Sequence, residues 1–448
     1  MIEPNTFFLI FSAIFLIAFF GNLFFKKTRF SDISILLIIG FLIGSVFNLI
    51  TNSQLEILKS MSSLFGSLAL IIILFEGGLH LNFYKVLREI GKATMFTIAV
   101  FFFTVLFSGV LLHYIFSIPA IYALLIGSAI GGVSSAVVIP LVMNSKSKEE
   151  TKTLITLESA ITDVLCIIVF ITLFEIIVTQ KSSVQFVTQN IISAFAIATV
   201  IGAVSGIVWT KVLRDFNVIR KFNYLLTLSF LFLIYVLIEY AKGNGSFGVL
   251  IFGLVLGNSN EILKIFKMKT LSLDNVVSLN EVYKFQAEIS LFIKAFFFIY
   301  LGLIIDFSSV TLNIILISAV LIFVSIASRY LSIYVFSGDK TIKQDTRYIL
   351  SLHARGLAAA VLGTYPIAMG LVNSYTLILL PITFLVIFLT NITTTFMFFF
   401  TERNKLKEES LNEESSQKDS SQEEETNPYS LIKKSNKNKD SKEKIDAN

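Results

Sequence analysis

The sequence predicts an all-α integral membrane protein of about thirteen transmembrane helices, built as six spans, a linker span and six more in inverted orientation. Three observations predict it. The chain of 448 residues is 55% hydrophobic and only 15% charged, against about a quarter charged in soluble proteins. Apolar stretches long enough to cross a hydrocarbon core recur almost without pause between Phe7 and Phe400. Glycine, serine and proline interrupt two of those stretches at matching positions of the two halves.

The expected spans cover 6–25, 33–50, 61–81, 94–115, 118–143, 154–179, 186–210, 223–241, 246–263, 285–305, 309–336, 347–371 and 374–400. They read as helices because lipid offers the backbone no hydrogen-bond partner and the short alternating pattern of a membrane β-barrel is missing. The first span carries no positive charge on its N-terminal side, Met1-Ile2-Glu3-Pro4-Asn5, whereas Lys26, Lys27 and Arg29 follow it. The span is therefore expected to stay in the mature protein, with the N-terminus outside. Alternate connections then place the basic segments around 85–92, 146–152, 211–221, 264–284 and 340–347 in the cytoplasm, with only Lys59, Lys181 and Lys242 outside. The net charge of +5 is therefore a topology signal, spread over short loops and unsuited to nucleic acid. A plasma or inner membrane is the expected location.

In the fifth span the interruption is Gly131-Gly132-Val133-Ser134-Ser135 followed by Pro140, and in the twelfth it is Arg355-Gly356 followed by Gly363 and Pro366. The pairing predicts two broken helices that cross near the bilayer midplane, where transporters of inverted-repeat design bind their substrates. By this reading spans 6–81 and 223–305 form a scaffold, and spans 94–179 and 309–400 form a core. Beyond Phe400, residues 401–448 are rich in Glu, Lys, Ser, Asn and Gln, which predicts a disordered cytoplasmic tail.

Ionisable side chains at membrane depth are costly unless paired or hydrated. The sixth span holds Glu158-Ser159-Ala160-Ile161-Thr162-Asp163. At about 100° per residue, Ser159 and Asp163 share a helical face while Glu158 points about 140° away from Asp163. Asp163 with Ser159 offers carboxylate and hydroxyl oxygen to a small hard cation. Glu158 needs a permanent partner, for which Arg329 and Arg355 are candidates. Arg329 is preferred, which leaves Arg355 to hold the carbonyl end of a broken helix.

Lys294 and Glu288 do not share a face; Glu288 snorkels near a boundary, whereas the deeper Lys294 is expected to meet an acidic group on another helix that the sequence does not name. His80, His113 and His353 read as packing or interfacial residues. Cys166 is the only cysteine, which excludes an intrachain disulfide or cysteine metal cluster. No catalytic triad or metal cluster can be assembled at one depth, and no cofactor is implied, so an enzyme is not expected. A channel would call for a repeated filter or charge ring, and none is visible.

These residues resemble the sodium/hydrogen exchanger family of cation:proton antiporters over about residues 6–400. The sixth-span set is similar to the family signature Glu-Ser-Leu-x-Asn-Asp. Further likenesses are Phe75-Glu76-Gly77-Gly78-Leu79-His80, Gly253-Leu254-Val255-Leu256-Gly257-Asn258, Phe297-Phe298-Ile299-Tyr300-Leu301-Gly302-Leu303, Arg329 and Arg355-Gly356. The resemblance implies that Asp163 binds alkali cation and proton in turn. It implies that Ser159, Thr162, Ser134, Ser135 and Glu76 supply oxygen ligands or line the path, and that Glu158 and Arg329 bridge the core. Two positions depart from the family pattern: Thr162 stands where asparagine is usual, and Ser134-Ser135 where a Thr-Asp pair is common.

The expected activity is secondary antiport of sodium, or alternatively potassium, against a proton, electroneutral because Asp163 is neutralised equally by either ligand. Membrane lipid is the surrounding partner. A homodimer is expected, with the Gly-, Phe- and Leu-rich second, ninth and tenth spans as interface candidates.

Overall fold

A computed structural model describes residues 32–47, 61–80, 83–180, 184–215, 223–265, 273–305 and 310–426, with isolated positions before residue 22. The described residues are helical and contain no strand. In chain order the helices are α1 (Asp32–Phe41), α2 (Ser62–His80), α3 (Phe83–Phe116), α4 (Ala120–Ala129), α5 (Ser135–Met143), α6 (Glu149–Thr179) and α7 (Val184–Asp215). They continue with α8 (Asn223–Tyr240), α9 (Gly245–Gly257), α10 (Leu273–Leu303), α11 (Leu312–Val335), α12 (Thr346–Ser351), α13 (Leu357–Ala368) and α14 (Leu379–Thr426). A π-helical turn, Leu42–Val46, extends α1, and short turns occupy Ser259–Ile265, Lys340–Gln344 and Ser374–Leu377.

Six of the described helices are long and apolar enough to cross a membrane, among them Ala93–Phe116, Glu149–Thr179 and Leu312–Val335, and shorter apolar helices accompany them. The protein is a multi-pass membrane protein. The expected first span, 6–25, lies almost wholly outside the described residues. Both expected interruptions occur: α4 and α5 are parted by residues 130–134, and α12 and α13 by residues 352–356.

Close backbone approach takes the place of the hydrophobic effect, which does not drive helix association in lipid. A Cβ on Gly302 of α10 would stand 2.4 Å from the Leu37 carbonyl oxygen, and one on Gly40 of α1 would stand 2.1 Å from that of Ile299. The same holds where α2 meets α9, since a Cβ on Gly253 would lie 2.6 Å from the Phe75 oxygen. The glycines that made the second, ninth and tenth spans candidates for a dimer face are thus engaged within the chain.

The helices associate in two groups. α2, α7, α8 and α9 share an apolar core that includes Phe75, Trp209, Ile234 and Phe252. The Trp209 ring stacks on Phe230 at 4.3 Å, and its Nε1–H donates to Thr227 Oγ1 at 2.9 Å, which satisfies the one polar atom of the indole. In the other group α6 packs against α3, α4, α5 and α13, and α3 also packs against α11. α13 meets α2, so the twelfth span touches both groups.

At the start of α6, Asp345 reaches over from the connection before α12. Its Oδ2 accepts from the Lys148 backbone N–H and from Thr151 Oγ1, each at 2.8 Å. A carboxylate from elsewhere in the chain thereby supplies the cap that the N-cap residue Lys148 lacks. It ties the connection after the fifth span to the connection before the twelfth.

Residues from Phe398 onward form a unit of their own. The helix α14 reaches Thr426. Thr401 to Thr426 contains neither Gly nor Pro, and its commonest residue is Glu, which a helix tolerates well even with nothing to bury. Residues 427–448 lie outside the described residues.

Candidate functional site

A helix broken inside a membrane exposes N–H and C=O groups that must all find partners within the protein. Here the two breaks satisfy each other. The Ser134 N–H donates to the Ala354 carbonyl oxygen at 2.8 Å. Arg355 extends its Nη1 to the carbonyl oxygens of Gly131, at 3.1 Å, and Gly132. Its Nη2 donates to Ser325 Oγ of α11 at 2.9 Å. The guanidinium therefore lies against the carbonyl end of α4, where helix dipoles leave partial negative charge. Arg355 is 1% exposed, so this contact places a full positive charge beside the crossing.

The flanking helices complete the account. The Val133 N–H donates to Thr162 Oγ1 of α6 at 3.0 Å, and the Thr162 hydroxyl donates to the Ser159 carbonyl oxygen at 3.2 Å. Thr162 thus works as acceptor and donor toward backbone. From α14, Thr390 Oγ1 accepts the Arg355 N–H at 3.0 Å, and Asn391 Nδ2 donates to the Arg355 carbonyl oxygen at 2.8 Å.

Gly356 is required by the crossing itself. A Cβ there would stand 2.0 Å from Ser134 Oγ and 2.5 Å from Ser134 Cβ. Gly356→Ala is expected to destabilise the protein by about 1–3 kcal/mol through overpacking and to impair transport. Ser134→Gly in the same chain should recover part of the loss. Thermal melting of the detergent-solubilised protein, with flux measured in vesicles, checks both.

Asp163 sits one face of α6 away from this scaffolding. Ser135, the first residue of α5, donates from its hydroxyl to Asp163 Oδ2 at 3.1 Å. Asp163 is partly exposed, and the Arg355 charge acts on it across the crossing. Ser159 is buried, and its hydroxyl donates to the Thr156 carbonyl oxygen at 3.0 Å, leaving its oxygen lone pairs for other donors or a cation.

On the far side of α6, Glu158 meets Arg329 of α11 in a two-pronged pair: Nη1 to Oε1 at 2.6 Å and Nη2 to Oε2 at 2.7 Å. Arg329 Nε also donates to the Ile349 carbonyl oxygen of α12. The carboxylate and the guanidinium are 0% and 1% exposed, a planar match of the kind arginine forms best.

Glu76 stands apart from this cluster. It lies on α2, near Ser290 and Lys294 of α10. That places an acidic neighbour near Lys294. Gln286 joins the same seam, donating to Ser290 Oγ at 2.9 Å and to the Ile72 carbonyl oxygen at 2.8 Å. His353 is buried with its ring nitrogens 3.1 Å from the Ser351 carbonyl oxygen and 3.0 Å from Thr393 Oγ1, and Glu288 is exposed. Among the described residues no three of His, Cys, Asp and Glu are grouped to hold a metal ion.

A family model described as the transmembrane sodium/hydrogen exchanger matches residues 14–401. The chain belongs to the sodium/hydrogen exchanger family. Among curated relatives, the K(+)/H(+) antiporter NhaP2 of Shewanella sp. (strain ANA-3) is 26% identical over 204 residues, covering 44% of this chain and 35% of that protein. The probable Na(+)/H(+) antiporter 2 of Methanocaldococcus jannaschii is 25% identical over 289 residues, 62% of this chain and 64% of that protein. The matches thus span about a third and just under two thirds of those relatives' lengths. In fold, the chain is similar to the sodium proton antiporter MjNhaP1 of Methanocaldococcus jannaschii at pH 8, with a TM-score of 0.70 and 21% identity over 87% of this chain and 96% of that one.

For this exchanger-family chain, the sequence pointed to Asp163, Ser135, Ser134 and Arg355, and the structure brings all four to the crossing. It did not point to Ser325, Thr390 or Asn391. For Thr390 and Asn391 the only signal was polarity in the wrong place: Thr390-Asn391-Ile392-Thr393-Thr394-Thr395 interrupts an otherwise apolar span.

Proposed function

We propose that this chain exchanges a monovalent alkali cation for a proton across the membrane, with both ligands competing for Asp163. The observation that carries the reading is the single carboxylate, partly exposed and reached by the Ser135 hydroxyl, at the meeting of two broken helices. A Lewis-hard oxygen set of this kind suits sodium or potassium, and Ser159, Ser134 and Thr162 add oxygen atoms close by in the chain. The activities for which the two relatives are named, potassium/proton and sodium/proton antiport, support both cations.

The stoichiometry follows from exclusion. Arg355 and the Glu158–Arg329 pair keep their charges throughout, so the site carries the same net charge with one cation as with one proton. One-for-one, electroneutral exchange is the result. The two helix groups, joined where α13 meets α2, suit alternating access in which a core carrying Asp163 moves against a scaffold. Glu76, held at the α2–α10 seam, lines the scaffold side of the path in this scheme. The protein works as a homodimer in the plasma or inner membrane, with its N-terminus outside and its C-terminus in the cytoplasm.

The test is flux into proteoliposomes driven by an imposed proton gradient, with sodium and potassium compared in separate runs. Protons should behave as a competitive inhibitor: the apparent KM for the cation rises as pH falls, while the maximal rate at saturating cation holds. A maximal rate that falls with pH at constant KM, or a cation current exceeding proton-coupled flux, refutes the scheme.

A further inference from the structure

One peptide unit at the crossing is held from both ends. The Ala354–Arg355 peptide gives its oxygen to the Ser134 N–H at 2.8 Å and its N–H to Thr390 Oγ1 at 3.0 Å. The next peptide is held as well, because the Arg355 oxygen accepts from Asn391 Nδ2 at 2.8 Å. All five residues are buried, so water offers these groups no substitute partner.

The two side chains are fixed before they reach Arg355. The Thr390 hydroxyl spends its hydrogen on the Val386 carbonyl oxygen of its own helix, at 2.6 Å, which turns a lone pair toward the Arg355 N–H. Asn391 Nδ2 places its second hydrogen on the Ile387 carbonyl oxygen at 2.7 Å. Each side chain thus has one bond that sets its orientation and one that transmits it. Beyond the peptide, the path continues through Ser134 to the adjacent Ser135 and its hydrogen bond to Asp163 Oδ2.

We propose that Thr390 and Asn391 are positioning residues for cation binding: by fixing the Ala354–Arg355–Gly356 peptides from α14, they set where Ser134 and Ser135 stand against Asp163. The inference rests on the proposed exchange at Asp163 and adds to it two residues that touch neither cation nor carboxylate. Without the Thr390 oxygen, the buried Arg355 N–H has no partner, and its peptide turns to seek one. Ser134 moves with the peptide oxygen, and Ser135 leaves its distance from Asp163. A small alkali ion responds to such a displacement more than a proton does, because it needs several oxygens at fixed separations, whereas a proton needs one.

Thr390→Val keeps the shape and removes the acceptor; Thr390→Ser keeps the acceptor. In proteoliposomes, Thr390→Val is expected to raise the apparent KM for sodium or potassium about tenfold. At fixed cation its pH profile should move toward alkaline pH by up to about one unit, since a weaker cation loses to protons sooner. Thr390→Ser should match the wild type in both. Asn391→Leu, which leaves the Thr390 bond in place, is the companion variant, read the same way if Thr390→Val does not insert. A purely structural role predicts a lower melting temperature with unchanged KM and pH profile, and that result overturns the proposal, as does a Thr390→Ser variant that behaves like Thr390→Val. If the wild type shows no cation–proton exchange, the reading at Asp163 has failed; if it exchanges normally and Thr390→Val exchanges identically, only the positioning role has.

Discussion

Asp163→Asn protein, inserted in vesicles at the level of the wild type, is expected to exchange no cation for protons above the rate of empty vesicles. The substitution preserves the volume of the side chain and can still accept the Ser135 hydrogen bond. What it removes is the negative charge. An amide neither binds a proton at accessible pH nor repays an alkali ion for its lost hydration. The prediction therefore separates charge from shape, and the wild-type melting temperature should be nearly retained. Cation–proton exchange at the native rate in this variant would place the binding site elsewhere.

Breaking the Glu158–Arg329 pair should produce the largest loss of stability. Each partner is buried, and the bidentate contact is the only carboxylate–guanidinium bond that either makes among the described contacts. Arg329→Met leaves Glu158 as an uncompensated buried charge, at a cost of roughly 3–5 kcal/mol. Glu158→Leu leaves the guanidinium in the same position. The double variant Glu158→Leu/Arg329→Met should be more stable than either single one, because two apolar side chains satisfy each other where one stranded ion does not. It should still fall short of the wild type, since the Ile349 carbonyl oxygen loses the donor that Arg329 Nε supplied. Thermal unfolding in detergent of the four proteins closes the double-mutant cycle. Additive losses in the double variant would mean that the two residues act separately.

Much of the site was legible because a membrane makes polarity conspicuous. Asp163, Glu158, Arg329 and Arg355 stand out in apolar runs, and helical spacing alone set Glu158 and Asp163 on different faces. The symmetric interruptions in the fifth and twelfth spans were readable for the same reason, since Gly131-Gly132 and Arg355-Gly356 fall where an apolar helix would otherwise continue. Thr390 and Asn391 were not readable. A threonine or asparagine within a membrane span can serve its own helix, and both do so, at Val386 and Ile387; their second bonds run to a segment remote in sequence.

The sequence by itself determined that the chain is a helical membrane protein with two interrupted spans and a few charges that lipid forbids without partners. These follow from local composition and from the desolvation of charge, which depend on each residue and its immediate neighbours. Only the tertiary structure decided which arginine pairs with Glu158, which hydroxyl reaches Asp163 and which side chains close the open backbone of the crossing. Those choices are made between segments far apart in the chain, by directional bonds a few ångströms long, and spacing along one helix carries no information about them.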